Sequence, residues 1–336
     1  MSRPYLKIDV FNHILPKKYK EALDKSAPGY EQQPVNNALP TLWDMDHRFR
    51  IMDKYPGLMH VLTLSRPPIE ETVPDPKTAM DLTRIGNEEI AEVVFKYPDR
   101  FAAGIAAIAM NDLEGSLKEL ERCITELKFK GVQIYTDFCG KPLDSPEFMP
   151  IYEMMAKYNL PIWLHPTSGI TNIEYKTEAK PKYVTPHLFG WPYETTMAMS
   201  RLVFSGILDK WPNLKIITHH AGGMVPFYEE RIIAFIDEGQ RKRGKLPYQL
   251  TKAPIEYFKM LYADTAIYGS VPGLMLARHF FGTDHLLFGT DLPFSGWYGE
   301  RVTKQTIASI EDMEIPEEEK KKIFAGNAKK LMRLPV

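Results

Sequence analysis

A chain of 336 residues, 44% apolar and 25% charged, can bury a large core and has the composition of an ordinary globular protein. With 42 Lys and Arg against 43 Asp and Glu, no overall field favours nucleic acid or an anionic membrane surface. No apolar run approaches the ~18 residues of a membrane span, and no apolar leader follows the basic residues at the start. The two cysteines, Cys123 and Cys139, have neither zinc-ribbon nor redox spacing, so a reduced, cytoplasmic protein is expected.

In chain order, short apolar runs that read as buried strands recur near Lys7–Val10, His60–Leu64, Phe101–Ala109, Gly131–Tyr135, Pro161–Leu164, Lys215–Thr218, Met260–Ala263 and Leu286–Gly289. Most lack in/out alternation, which fits parallel strands covered on both faces. Helical spacing fills the intervals: Leu113–Leu127, Glu147–Tyr158, Tyr193–Leu208, Val225–Ile236, and a closing stretch Pro316–Leu334 opened by Pro316-Glu317-Glu318. Strand then helix, eight times, is the count of a (β/α)₈ TIM barrel in one domain, 1–336; a doubly wound sheet alternates in the same way. Insertions at 14–59 and 166–192 start where strands end. That is the face on which barrel enzymes carry their site, so the two read as a lid and a pocket wall.

Chemistry gathers at the strand ends. His13, His165 and Asp291 close the first, fifth and eighth runs and can converge above the barrel. Two imidazoles and a carboxylate suit zinc with an open position, and equally the facial triad of iron or a manganese site. His219 and His220 alternate along one strand, so one faces the site while the other packs behind it. His220, beside Ala221-Gly222-Gly223, is the one placed for acid/base work, held by Asp291 or another carboxylate. His187, Trp191, Phe294 and Trp297 are candidate walls for a flat ligand. Arg48, Arg50, Arg201 and Arg231 are candidate carboxylate holders.

These motifs resemble the amidohydrolase superfamily, in its branch of metal-dependent decarboxylases related to aminocarboxymuconate semialdehyde decarboxylase and γ-resorcylate decarboxylase. The likeness is carried by Ile8-Asp9-Val10-Phe11-Asn12-His13, Trp43-Asp44, Leu164-His165-Pro166, His220-Ala221-Gly222-Gly223 with Arg231, and Gly289-Thr290-Asp291-Leu292-Pro293. It implies a barrel, usually dimeric, holding one divalent metal, most often zinc. His13 and His165 would be ligands, Asp291 a ligand or its neighbour, and His220 the proton-handling residue. Arg231 would cross a dimer interface to the partner's substrate.

Two departures stand out. The strand-one motif should begin with a His or Glu donor, and here Phe11 occupies that position, grouped with the substrate-facing side chains. Residues 28–42 lack the arginine that the semialdehyde decarboxylase uses for substrate, so another anchor or another substrate is expected. The leading expectation is non-oxidative loss of CO₂ from a hydroxylated aromatic or unsaturated cyclic acid. Hydrolysis or hydration by a metal-bound hydroxide, with Asp291 as base, stands beside it, as does a metal-free, non-catalytic barrel.

Overall fold

The computed structural model describes residues 5–167, 175, 177–178, 182–244, 247–294 and 296–336. The parts of the 166–192 insertion at 168–174, 176 and 179–181 lie outside the described residues. Eight parallel strands occupy the places expected of them: β1 (Lys7–Ile14), β2 (Leu58–Leu64), β3 (Phe101–Gly104), β4 (Val132–Tyr135), β5 (Pro161–His165), β6 (Lys215–Thr218), β7 (Tyr262–Asp264) and β8 (Leu286–Leu287). They pair as β1–β2–β3 and β4–β5–β6–β7–β8.

Both gaps between these groups are bridged. Ala106 pairs with Val132 between β3 and β4, and Asn12 pairs with Leu292 between β1 and β8. At the second seam Val10 N donates to Phe288 O (2.8 Å), Asp291 N to Phe11 O (2.8 Å) and His13 N to Leu292 O (2.7 Å). The sheet therefore closes on itself as a (β/α)₈ barrel, and an open doubly wound sheet is excluded.

The absence of alternation has its expected cause. Every residue of β1, β2 and β5 is buried, because side chains point either into the barrel or against the outer helices. Inside, Trp163 fills the barrel beside Ile8, Val10, Val61 and Leu287, and its Nε1 donates to Val10 O at 2.8 Å. Gly131 makes room for it: a Cβ there would lie 2.4 Å from the indole and 2.3 Å from Pro161 O. This packed interior is the floor beneath the site.

Outside lie α1 (Lys17–Ser26), α2 (Met45–Met52), α3 (Pro76–Lys96), α4 (Leu113–Thr125), α5 (Met149–Tyr158), α6 (Trp191–Phe204), α7 (Glu229–Arg243), α8 (Val271–Phe281) and α9 (Glu300–Glu311). Their starts carry local signals: Asp75 accepts from Thr78 N, Asp112 from Gly115 N and Ser270 from Gly273 N. Some boundaries differ from the sequence reading. Phe101–Ala109 is a strand only to Gly104, Met260 ends a helix, and Pro316–Leu334 breaks into Glu317–Lys321 and Asn327–Met332 around a wide turn. Among the described residues no helix is long and apolar enough to cross a membrane.

Candidate metal centre and pocket

The first donor is set by a local irregularity. The register of β1 against β2 breaks between Asp9 and Asn12. The Asp9 carboxylate fills the break, accepting from Phe11 N (3.1 Å), Thr290 N (3.0 Å) and Thr290 Oγ1 (2.6 Å). Burial pushes that carboxyl up to about 7 although Thr290 and Phe11 hydrogen-bond it. Arg48 of α2 clamps the next residues, donating to Asn12 Oδ1 (3.0 Å), Thr41 O (3.2 Å) and the His13 carbonyl. It is fully buried and also meets His60 Nδ1 at 3.2 Å, so Arg48 is a brace and not the carboxylate holder the sequence suggested.

One ligand atom each from His13, His165, His219 and Asp291 lies within 4.8 Å of all the others. His13 Nε2 is 3.2 Å from Asp291 Oδ1, and His219 Nε2 is 3.5 Å from the same oxygen. The outer nitrogens are all engaged. His165 Nδ1 meets Pro166 O at 2.6 Å, His219 Nδ1 meets the Asp264 carboxylate, and His13 Nδ1 meets Thr63 Oγ1 at 2.9 Å. A carbonyl and a carboxylate can only accept, so His165 and His219 carry their protons on Nδ1 when neutral. Thr63 directs its one proton to Asn12 O (2.9 Å), which gives His13 the same tautomer. Three bare Nε2 lone pairs and a carboxylate then converge on one point. That arrangement repels itself unless a cation sits within it, so the donor set fits a divalent ion.

The electrostatics agree. Burial opposes charge on His219, but Asp264 and Asp291 overcome it and push the imidazole up to about 9. Burial also works against the Asp291 carboxylate, yet the His13 and His219 imidazoles beside it hold it well below the usual range. His165 is driven well below the ordinary histidine value by burial and by its imidazole neighbours. Asp264 and Asp291 thus favour positive charge at this point of the cluster.

The paired histidines differ from their sequence reading. Strand β6 ends at Thr218, and His220 adopts φ +54°. Strand parity therefore does not extend to these residues, and both imidazoles face the cavity, ring centroids 3.8 Å apart. Asp264 holds His219, not His220, and its other oxygen accepts from Ala221 N at 3.1 Å. Among the described residues His220 Nδ1 has no hydrogen-bond partner. Burial and the charge of His219 lower His220 to about 3, so it rests neutral. The glycines permit this turn: a Cβ on Gly222 would meet the Phe281 ring at 2.6 Å.

The cluster opens into a cavity of about 410 Å³. Its walls include His165, His187, Trp191, His219, His220, Asp291 and Phe294, together with Gln32, Val35, Asn36, Arg66, Leu188 and Tyr268. Gln32, Val35 and Asn36 belong to the 14–59 insertion. Trp191 is anchored by Nε1 to Thr167 O (3.1 Å) and lies nearly parallel to His220, 12° between planes. Phe11 and Trp297 do not line the cavity, and Arg231, expected at the partner's substrate, stands outside it. Phe11 is fully buried beneath the site, stacked on His219. Trp297 is 67% exposed, and Arg231 is exposed on α7 over the Phe235 ring, outside the cavity of its own chain. Arg201 pairs with Asp144 at 2.8 Å. The sequence reading undervalued His219 and passed over Arg66 and Tyr268. Arg66 stands just past the end of β2, the same placement that marked His13 and His165.

The relatives agree with the geometry. The chain is 30% identical to the 2-amino-3-carboxymuconate-6-semialdehyde decarboxylase of Dictyostelium discoideum, over 98% of this chain and 92% of that protein. The 5-carboxyvanillate decarboxylase of Novosphingobium aromaticivorans, complexed with manganese and 4-hydroxy-3-methoxy-5-nitrobenzoic acid, superimposes with a TM-score of 0.84 at 25% identity, covering 99% of this chain and 97% of that one. The dihydroxybenzoic acid decarboxylase of Polaromonas sp. JS666, with bound manganese and 2-nitroresorcinol, gives 0.77 at 27% identity, covering 98% and 97%. Residues 8–334 match the amidohydrolase family, so the kinship runs from the first strand to the last helix and the chain belongs to that family.

Proposed function

We propose that this protein is a metal-dependent decarboxylase that removes CO₂, without oxidation, from a hydroxylated aromatic carboxylic acid. One observation carries the reading: three imidazole lone pairs and the Asp291 carboxylate meet at the base of a cavity walled by Trp191 and Phe294. His13, His165, His219 and Asp291 would hold one divalent ion, with His219 replacing the donor that Phe11 lacks. Zinc suits three nitrogens and an oxygen, and the manganese of the solved relatives suits it as well. When bound, the ion supplies Lewis-acid charge toward the substrate carboxylate and its neighbouring oxygen.

The chain's own residues then do the following. Trp191 and Phe294 hold the ring and exclude water, which strengthens every charge interaction in the site. His220, neutral and with Nδ1 free, accepts the proton of the ring hydroxyl. As an imidazolium it is a strong acid in this setting, because burial disfavours its charge. It returns the proton to the ring carbon that bears the carboxylate. The bond to the carboxylate breaks, its electron pair restores aromaticity, and CO₂ departs. The product leaves as a phenolate and takes a proton from water. Asp291, held ionised, keeps its charge throughout.

Residues 1–336 act as one domain. A homodimer fits the exposed face of α7, where Arg231 stands between Phe227, 74% exposed, and Phe235, 60% exposed; Arg231 then reaches the partner's pocket. The test is a panel of hydroxybenzoic acids turned over in D₂O and, separately, in H₂¹⁸O. Decarboxylation gives CO₂ and a single ring deuterium at the former carboxyl position. ¹⁸O in the product without CO₂ overturns the reading in favour of hydrolysis.

A further inference from the structure

A second cavity, of about 370 Å³, shares no lining residue with the first. It has the size of a small-molecule site. Two of its lining groups are acceptors with nothing to accept among the described residues. Glu70 is 4% exposed, and its Oε2 has no hydrogen-bond partner. Asn111 Oδ1 is buried and equally unpartnered. The orientation of that amide is fixed, because its Nδ2 donates to Val73 O (3.3 Å) and Pro74 O (3.2 Å) and the oxygen is the end left over. The surroundings are negative. Burial pushes the Glu70 carboxyl up, and the charges of Glu71 and Asp137 push it the same way. Burial and these three carboxylates also raise the Cys139 thiol at the rim. The lysine of the lining, Lys141, is already paired with Glu147 at 2.7 Å. Buried acceptors left bare are costly, and a fold retains them where something else completes them.

Both free oxygens call for a hydrogen-bond donor, and the carboxylates call for positive charge. An ammonium supplies the two together. A hydroxyl or an amide would leave the Glu70 charge uncompensated. A metal ion asks for at least three donors, and among the described residues the one such group of His, Cys, Asp and Glu is the cluster around Asp291. The other walls are apolar: Met110, Leu113, Phe138 and Phe148, the two rings tilted at 59° with centroids 4.6 Å apart. They suit a flat hydrocarbon body better than a polar one. We propose that this cavity is a second ligand site, for a small primary arylalkylamine whose ammonium donates to Glu70 Oε2 and Asn111 Oδ1 while its ring packs against Phe138 and Phe148. An amine seated here is separate from the reacting acid, whichever reaction the first cavity carries out.

The experiment is calorimetric titration of the full chain, at about pH 8, with benzylammonium and 2-phenylethylammonium chloride. The better amine binds wild type with a Kd of about 1 mM or tighter. Benzyl alcohol lacks the charge and benzyltrimethylammonium lacks the N–H donors, so each binds about tenfold or more weaker. Butylammonium has the reach of a lysine side chain but no ring, and it also binds more weakly. Glu70→Gln weakens the amine about tenfold or more, and Asn111→Ala about threefold or more. Thermal melting shows that each variant is folded, and Asn111→Ala carries the test if Glu70→Gln is not. No saturable heat from either amine up to about 10 mM, undiminished binding in either folded variant, or equal affinity for benzyl alcohol overturns the site. Butylammonium binding tighter than both aryl amines overturns the choice of an aryl body.

Discussion

Phe11 and His219 lie face to face, ring centroids 3.9 Å apart and planes 10° from parallel. The phenyl ring stands where the resemblance calls for a metal donor, and it supports the imidazole just past β6, which belongs to the same His/Asp cluster. In the proposed centre His219 takes the place of that donor, with Asp264 behind it fixing the tautomer.

Asp264→Asn tests that fixing. The amide matches the carboxylate in size but removes the charge that holds the His219 Nδ1 proton. Metal affinity, read by competition with a chromogenic chelator, is expected to fall about 10- to 100-fold, while the far-ultraviolet spectrum is unchanged. Unaltered affinity would place His219 outside the ligand set.

Removing the ion should cost stability, because only the folded chain assembles the four donors. At a free metal concentration about one hundred times Kd, the holoprotein gains about 2.7 kcal/mol over the chelated form. Calorimetric melting with and without chelator, followed by addition of Zn²⁺ or Mn²⁺, reads this as a rise of a few degrees. Coincident melts under all conditions would remove the metal centre from the account.

Stability should fall as pH rises from about 4.5 to 7. Burial pushes the Glu70 carboxyl up to about 7 from an ordinary value of 4.5. Between those values the folded protein holds a proton that the unfolded chain has released, so alkalinity favours unfolding until the window closes. The effect of this one group approaches roughly 3 kcal/mol above pH 7. Glu70→Gln should therefore be more stable than wild type at pH 8 and nearly equal to it at pH 4.5, by urea melts at both. The opposite ordering would show Glu70 to be paired in solution.

Arg48→Met leaves Asn12 Oδ1 and the carbonyls of Thr41 and His13 without their donor. A loss of about 3–5 kcal/mol is expected, read by urea denaturation of both proteins. An unchanged midpoint would contradict the bracing role given to Arg48.

Much of this was legible in the sequence. Continuous burial wrote the strands as unbroken apolar runs, and strand ends at a barrel's rim marked His13, His165 and Asp291. The His219–His220 pair was harder, because alternation holds only while backbone stays extended and His220 turns left-handed one residue past His219. Phe11 looked like a substrate contact because the site it borders is built partly on β6, and which strand leans inward is a tertiary fact. Arg66 is one arginine among many until its burial against the cavity singles it out.

His13 and Asp291 also stand on opposite lips of the β1–β8 seam, joined there by backbone bonds between the two ends of the chain. A chain emerging from the ribosome displays His13 early and Asp291 near the close of synthesis. An ion gripped by both, as proposed, would load only once the cylinder has shut, and would then rivet the first stave to the last.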